Sequence, residues 1–205
     1  MSHDLLPLFP LAVVLLPHSE LPLHIFEERY KEMIGLSIEN QSEFGVVLSS
    51  GQGVSAIGCT AVIQEVTKRY PDGRLDIITI GRRRFRIHSL DNELNFLRGE
   101  VEYFDDEDPS APENVRTQLV DIVGRMWPDS QFDAADRELS FRVAASITDL
   151  ELRQELLTSR READRVRRLV AFLPGYADRL LKINHTREVA PKNGHSHIAV
   201  PLDEA

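Results

Sequence analysis

The residues that could do chemistry in this chain are few, and most lack the neighbours that the chemistry needs. Gly53-Val-Ser55 begins like a nucleophile elbow, but that turn needs glycine at position 57, which is Ile57, and Gly58 comes one residue too late. Ser55 is therefore expected to be a loop serine. There is no H-E-x-x-H pair and no second cysteine, so zinc ligands at their usual spacing are missing. His195-x-His197 has a chelating spacing but falls in a stretch without hydrophobic period, where solvated histidines are expected. Cys59 precedes Thr60 and Ala61, which offer no cation to draw out a thiolate, so it reads as a small core residue. His24 and His88 are expected at strand edges with ordinary hydrogen-bond partners. No G-x-x-x-x-G-K-[ST] loop is present to cradle a nucleotide phosphate. The expectation is no catalytic residue, no cofactor and no metal.

Binding chemistry is better represented. In Arg82-Arg-Arg-Phe-Arg86, four guanidinium groups could grip an acidic peptide, a phosphate or RNA, with Arg83 and Arg86 as the candidate contacts. Strand alternation would send Arg84 and Arg86 to one face and Arg83 with Phe85 to the other, where carboxylates such as Glu100 and Glu102 would pair with the arginines. Arg160, Arg161, Arg165, Arg167 and Arg168 are interleaved with Glu162 and Asp164 and read as a solvated helix face. Glu28, Arg29 and Glu32 form a third candidate contact surface, with Arg29 expected to pair with Glu32 or Glu28.

The elements that must position these groups follow from composition and period. The chain has 205 residues, 42% hydrophobic and 28% charged, which suits an ordinary globular protein of one large or two small domains. A net charge of −9 argues against a general nucleic-acid binder, which needs excess Lys and Arg. The single cysteine excludes an internal disulfide. The apolar start has no cationic lead-in and is cut by prolines, so neither a signal peptide nor a membrane span is expected, and a cytoplasmic setting is.

From Leu5 to Leu23 the chain is apolar and punctuated by Pro7, Pro10, Pro17 and Pro22, which forbid a continuous helix and favour short extended pieces. Phe26, Tyr30, Met33, Ile34 and Ile38 then recur at helical spacing, predicting an amphipathic helix from Glu27 to Asn40. Strands are expected at Phe44–Ser50, at Gly58–Tyr70, after the Pro71-Asp72-Gly73 turn, at Arg82–Leu90 once Gly81 has broken the chain, and around Leu97–Tyr103. Asp105 to Pro112 is acidic and proline-bearing, the composition of a domain-boundary linker. Beyond it, helical stripes follow. Capping boxes are read at Ser110/Glu113, Thr148/Glu151 and Ser159/Glu162, with a further cap at Asp133. Pro174-Gly175 is expected to stop the strongest stripe, with a short helix from Tyr176 to Asn184 after it.

Leu6-Pro-Leu-Phe-Pro-Leu, Val14-Leu-Leu-Pro-His and Leu21-Pro-Leu-His-Ile-Phe-Glu-Glu-Arg-Tyr, in that order, resemble the amino-terminal domain of Lon-type ATP-dependent proteases. The likeness is strongest to small bacterial proteins that carry this domain alone. It continues through Phe44-Gly-Val-Val, Ile57-Gly-Cys-Thr-Ala, Pro71-Asp-Gly-Arg and Gly81-Arg-Arg-Arg-Phe-Arg-Ile, and Leu139-Ser-Phe-Arg-Val-Ala resembles the family's second domain. The resemblance implies an α+β fold, a PUA-like six-stranded β pseudobarrel with one early helix followed by a C-terminal α-helical bundle. With the acidic linker as boundary these are expected over residues 1–106 and 107–185, and the tail over 186–205, which lacks a hydrophobic period, is expected to be flexible. It also implies recognition of polypeptide substrates or partner proteins. The family's ATPase and Ser-Lys peptidase modules have no counterpart here, so a stand-alone, non-proteolytic form is expected.

The function expected is therefore non-catalytic binding of unfolded or extended polypeptide, or of a partner protein, in an apolar groove. Glu28, Arg29, Glu32, Arg83 and Arg86 are the candidate contacts. An RNA-binding PUA-like module is the alternative, disfavoured by the net charge, and an unrecognised small hydrolase is the second alternative.

Overall fold

Two prolines decide where the first strand can pair. In the computed structural model, which describes residues 5–51 and 53–189, β1 (Leu6–Leu11) meets its antiparallel neighbour only at Leu6 and Pro7 and its parallel neighbour only from Leu8 to Leu11. Pro7 and Pro10 thus each sit where the strand has a partner on one side at most, which a residue without an N–H tolerates. β2 (Glu20–Ile25) follows, then α1 (Glu28–Asn40), β3 (Phe44–Ser50), β4 (Gly53–Arg69), β5 (Leu75–Asp91) and β6 (Arg98–Phe104).

Helix α1 buries Tyr30, Met33 and Ile34 of the predicted face together with Ser37, while Phe26, ahead of the helix, is 59% exposed, and the helix ends where Gln41 turns left-handed at φ 51°. The hairpin at Pro71-Asp72-Gly73 joins the two longest strands, β4 and β5. The sheet has six strands in the order β2-β5-β4-β3-β1-β6, and β6 also pairs with β5. Along one edge of β5 lies β4. The other edge is shared, with β2 on Leu75–Ile80 and β6 on Arg84–Asp91. Inside this arrangement Leu6, Leu8, Val47 and Phe85 form a small core of their own. Gly58 makes it possible, since a Cβ there would lie 2.5 Å from the Phe85 ring.

Gly81 does not break the strand as expected. β5 runs straight through it, and the residue lies in the gap between β2 and β6. Its missing side chain makes room for a neighbouring backbone, since a Cβ would come 2.1 Å from the Leu16 carbonyl oxygen.

Four helices follow: α2 (Glu113–Met126), α3 (Leu139–Ala145), α4 (Leu150–Thr158) and α5 (Glu162–Val189). The expected caps are largely replaced. Pro112 begins α2, Ser110 instead donating to Asp108, and Asp133 holds a turn by accepting from the Ala135 N–H. Asp149, not Thr148, caps α4 by accepting from Leu152 N at 2.9 Å. Pro174 does not stop the last helix, which continues through it to Val189. Leu173 and Tyr176 stay buried on either side of the proline, so packing outweighs the one backbone hydrogen bond that proline removes. Residues 190–205, with His195 and His197, lie outside the described residues.

The acidic stretch after β6 is a strap, not a loose linker. Glu107 N donates to Arg160 O, Glu162 N donates to Asp108 O, and Asp108 forms a bridge with Arg161. One hydrophobic core joins Phe9, Met33 and Ile77 of the strand part to Leu119, Val143, Leu156 and Leu169 of the helical part. We therefore expect the parts before and after residue 106 to unfold together. The fluorescence of Trp127 in the helical part and the reactivity of the buried Cys59 thiol in β4 should give coincident denaturant midpoints. Separated midpoints would show two units that fold independently.

Candidate functional site

The strand and helical parts meet at the loop between β1 and β2. Val14, Leu15, Leu16 and Pro17 are buried, and the loop is tied to the middle of β5: His18 N donates to Gly81 O and Gly81 N to Ser19 O, both at 2.9 Å. Ser19 Oγ closes the turn by donating to Leu16 O at 2.7 Å. His18 is held at φ 59°, a left-handed conformation that costs a non-glycine residue about 1 kcal/mol and persists only where surrounding bonds enforce it. Its Nε2 lies 2.9 Å from Glu138 Oε2, at the start of α3.

Below this loop a buried ionic network joins the two parts. Arg84 on β5 reaches Asp106 Oδ1 at 2.5 Å and also donates to the carbonyl oxygens of Ser159 and Leu157 at the end of α4. Arg165 on α5 grips the same carboxylate with both Nη groups, at 2.7 and 2.5 Å. It also contacts Glu162 Oε2 at 2.8 Å, and Glu162 accepts from both N and Oγ of Ser140. The Phe141 ring lies 4.3 Å from the Arg165 guanidinium carbon. Burial works against the Asp106 carboxylate, but the hydrogen bonds and charges of Arg165 and Arg84 outweigh it and hold the carboxyl below the usual range. For Glu162 burial prevails over Ser140 and Arg165, and its carboxyl is pushed up.

These contacts correct several expectations. Arg165 is 1% exposed and belongs to the core, not to a solvated face. Glu162 is fully buried and bonds Ser140 instead of capping Ser159. Arg84 pairs with Asp106, and Arg83 with Glu43 at 3.1 Å while lying over the Tyr103 ring, so neither pairs with Glu100 or Glu102. Glu102 instead meets His88 at 3.3 Å.

Between the loop and helices α3 and α4 opens a cavity of about 500 Å³. Val13, Leu15 and Leu21 form one wall, Phe132, Phe141 and Ala145 the other, and Arg153 of α4 also lines it. A second concavity of about 270 Å³ shares Pro17, His18 and Phe141 with the first and is lined by Arg82, Arg83 and Arg137.

The candidate contacts read from the sequence do not converge on this seam. Glu28, Arg29 and Glu32 line a shallow depression on α1 with Asn95, which donates to Glu32. Arg29 pairs with Glu27 at 2.7 Å, not with Glu28 or Glu32, and Glu28 is engaged by Lys31. Arg83 borders the smaller concavity, and Arg86 is exposed on β5. Ser55 lies within β4. Cys59 is buried, and burial pushes its thiol up to about 12, so it is no nucleophile at neutral pH. His24 sits on edge strand β2 against Asp76 at 2.5 Å. Among the described residues no group of three or more His, Cys, Asp or Glu could hold a metal ion, and no helix is long and apolar enough to cross a membrane. Sequence reading missed Asp106, Arg153 and Glu162 as site residues. The one available signal was Leu139-Ser-Phe-Arg-Val-Ala, which carries Ser140 and Phe141.

Comparison with known proteins gives consistent likenesses. The sequence profile of the ATP-dependent protease La (LON) substrate-binding domain matches residues 5–174. A Lon protease of Parabacteroides distasonis is 25% identical over 128 residues, which is 58% of this chain and 16% of that protein, so the chain spans about a sixth of this relative's length. A crystal structure of a Lon N-terminal domain protein from Xanthomonas campestris superposes with a TM-score of 0.69 at 26% identity, covering 83% of this chain and 99% of that one. The N-terminal domain of a Mycobacterium avium complex Lon protease superposes with a TM-score of 0.63 at 15% identity, covering 83% and 98%, a likeness of fold.

Proposed function

Since this chain belongs to the family of LON substrate-binding domains, we propose that it is a non-catalytic protein that holds extended or unfolded polypeptide, or a partner protein, in the groove between the β1–β2 loop and helices α3 and α4. The observation that carries this reading is the groove itself, the larger of the two concavities that the β1–β2 loop lines, with apolar residues from both parts of the chain in its walls. Burying one Leu- or Phe-sized side chain there would contribute about 1.5–3 kcal/mol. Two or three such side chains, after the cost of association, give modest affinity suited to capture and release. Side-chain burial has to supply it, because Pro22 interrupts the free edge of β2 and weakens strand addition. In the same reading, the return of the pairing from β6 to both β1 and β5 is the pseudobarrel that supports the loop. The exposed α1 face with Glu28, Arg29 and Glu32, and Arg83 with Arg86 on β5, are peripheral contacts, and the setting is cytoplasmic.

Fluorescence anisotropy with a labelled, permanently unfolded polypeptide tests the proposal. Saturable binding is expected that changes little between low and moderate salt, as apolar burial dictates. Val13→Asp and Phe132→Ala, both on partly exposed wall residues, should weaken it about tenfold or more. Absence of saturable binding would refute the reading. Affinity for RNA that collapses with added salt would favour the nucleic-acid alternative instead.

A further inference from the structure

Arg153 differs from the three buried arginines in how it is held. Arg165 and Arg84 share Asp106, and Arg116 is held by the carbonyl oxygens of Ala134 and Asp136. Arg153, half-buried on α4, meets no carboxylate among the described residues. Its Nε is buried without a hydrogen-bond partner, and one Nη reaches only Ile147 O, at 3.5 Å. Burial alone shifts this guanidinium, lowering its hold on its proton, with no neighbouring charge to offset it. A buried cation left unpaired is strongly unfavourable, and native structures rarely retain one without a use.

The other charges around the groove do not serve it. Arg142 is engaged by Asp136 at 2.7 Å and His18 faces Glu138, while Glu20 is exposed at the rim. Arg153 therefore lines, with donors that no carboxylate engages, a cavity whose walls also include Leu15, Leu21 and Phe141.

We propose that this groove receives the free carboxyl end of a polypeptide, with Arg153 binding the terminal carboxylate and the apolar walls taking the last side chain. The inference rests on the polypeptide-binding reading and deepens it. A chain terminus fits better than an internal acidic side chain because its carboxylate and its apolar side chain leave the same Cα. One guanidinium beside one apolar cavity can then hold both. A bidentate Arg–carboxylate pair in a partly desolvated site is among the stronger polar contacts a protein makes.

Three peptides of one apolar sequence separate the outcomes: a free C-terminal acid, its C-terminal amide, and the amide with one internal glutamate. Wild-type protein should bind the acid about tenfold or more tightly than either amide, the effect of one charge-assisted hydrogen-bonded pair. Arg153→Met should bind all three alike and melt no lower than wild type, since it removes an unpaired buried charge. Equal binding of acid and amide by wild type would overturn the inference and leave the polypeptide reading standing. Preference for the internal glutamate equal to that for the acid would overturn the terminal assignment. Titration of ¹⁵N-labelled protein with N-acetyl-leucine distinguishes the two failures. The Arg153 Nε–H signal should shift with the acid and not with its amide. A static signal overturns this inference, whereas a moving signal with no binding of longer peptides overturns the polypeptide reading.

Discussion

Replacing Asp106 by alanine should lower the unfolding free energy by about 3–5 kcal/mol at neutral pH, the scale for removing one partner from a buried ion pair. The carboxylate serves Arg84 and Arg165 together, and its side chain is 15% exposed. After substitution Arg165 keeps Glu162, but Arg84 keeps only the carbonyl oxygens of Ser159 and Leu157. The loss is therefore concentrated where β5 meets the helical part, and urea midpoints of wild type and variant measure it.

The pH dependence carries a definite sign. Arg165 and Arg84 hold the Asp106 carboxyl below its ordinary 3.8, so its stabilising contribution is complete above that value and disappears as pH falls through the lower native value. Glu162 acts in the opposite direction. Its carboxyl is raised above 4.5, so its contribution is present below that value and is lost as pH rises through the native one. The gap between wild type and Asp106→Ala should thus be full at neutral pH and close below about 3.8. A gap under about 1 kcal/mol at neutral pH would mean that the pair behaves as a solvated surface bridge.

Gly81→Ala should cost about 3 kcal/mol, near the upper end for overpacking, because the new methyl meets backbone and not a side chain that can rotate away. The obstacle is the Leu16 carbonyl, with its oxygen 2.1 Å and its carbon 3.0 Å from the added Cβ. Relief requires lifting the β1–β2 loop off β5, which breaks the hydrogen bonds from His18 N to Gly81 O and from Gly81 N to Ser19 O. Since that loop supplies Val13 and Leu15 to the groove, polypeptide binding should fall together with stability, and hydrogen exchange at the amides of residues 18 and 81 should accelerate. Gly124→Ala is the control. It lies exposed in α2 with open space around its Cβ position, and it should stabilise the protein by about 0.5–1 kcal/mol.

Local signals were legible where the determinant is local. The proline-punctuated start forms β1 and β2, the 3.6-residue period forms α1, Phe44–Ser50 is β3, and Pro71-Asp72-Gly73 is the hairpin turn. Gly81 and Pro174 were misread for one reason. Both residues do disturb isolated strands and helices, but here a packed neighbour or a continuing buried face decides the outcome. The charged clusters failed differently. Arg165 lies in a run of alternating charges that resembles a solvated face, and Asp106 in one that resembles a linker. A guanidinium and a carboxylate 59 positions apart carry no local mark of their pairing.

By itself, the sequence determined that this chain would be an α+β protein of short strands, one early helix and a helical second part, and its ordered motifs pointed to the family. Those features depend on hydrophobic period, turn chemistry and proline geometry, all of which act within a few residues. Tertiary structure alone decided that the acidic stretch would bind the two parts together, that Gly81 would seat a loop, and that Arg153 would line the groove without a carboxylate partner. Arg153 stands between Glu151 and Glu155 in the chain, yet the groove it lines is built by residues on the β1–β2 loop and α3. Charge pairing and groove lining depend on which distant surfaces come into contact, and that contact exists only once the core shared by strands and helices has formed.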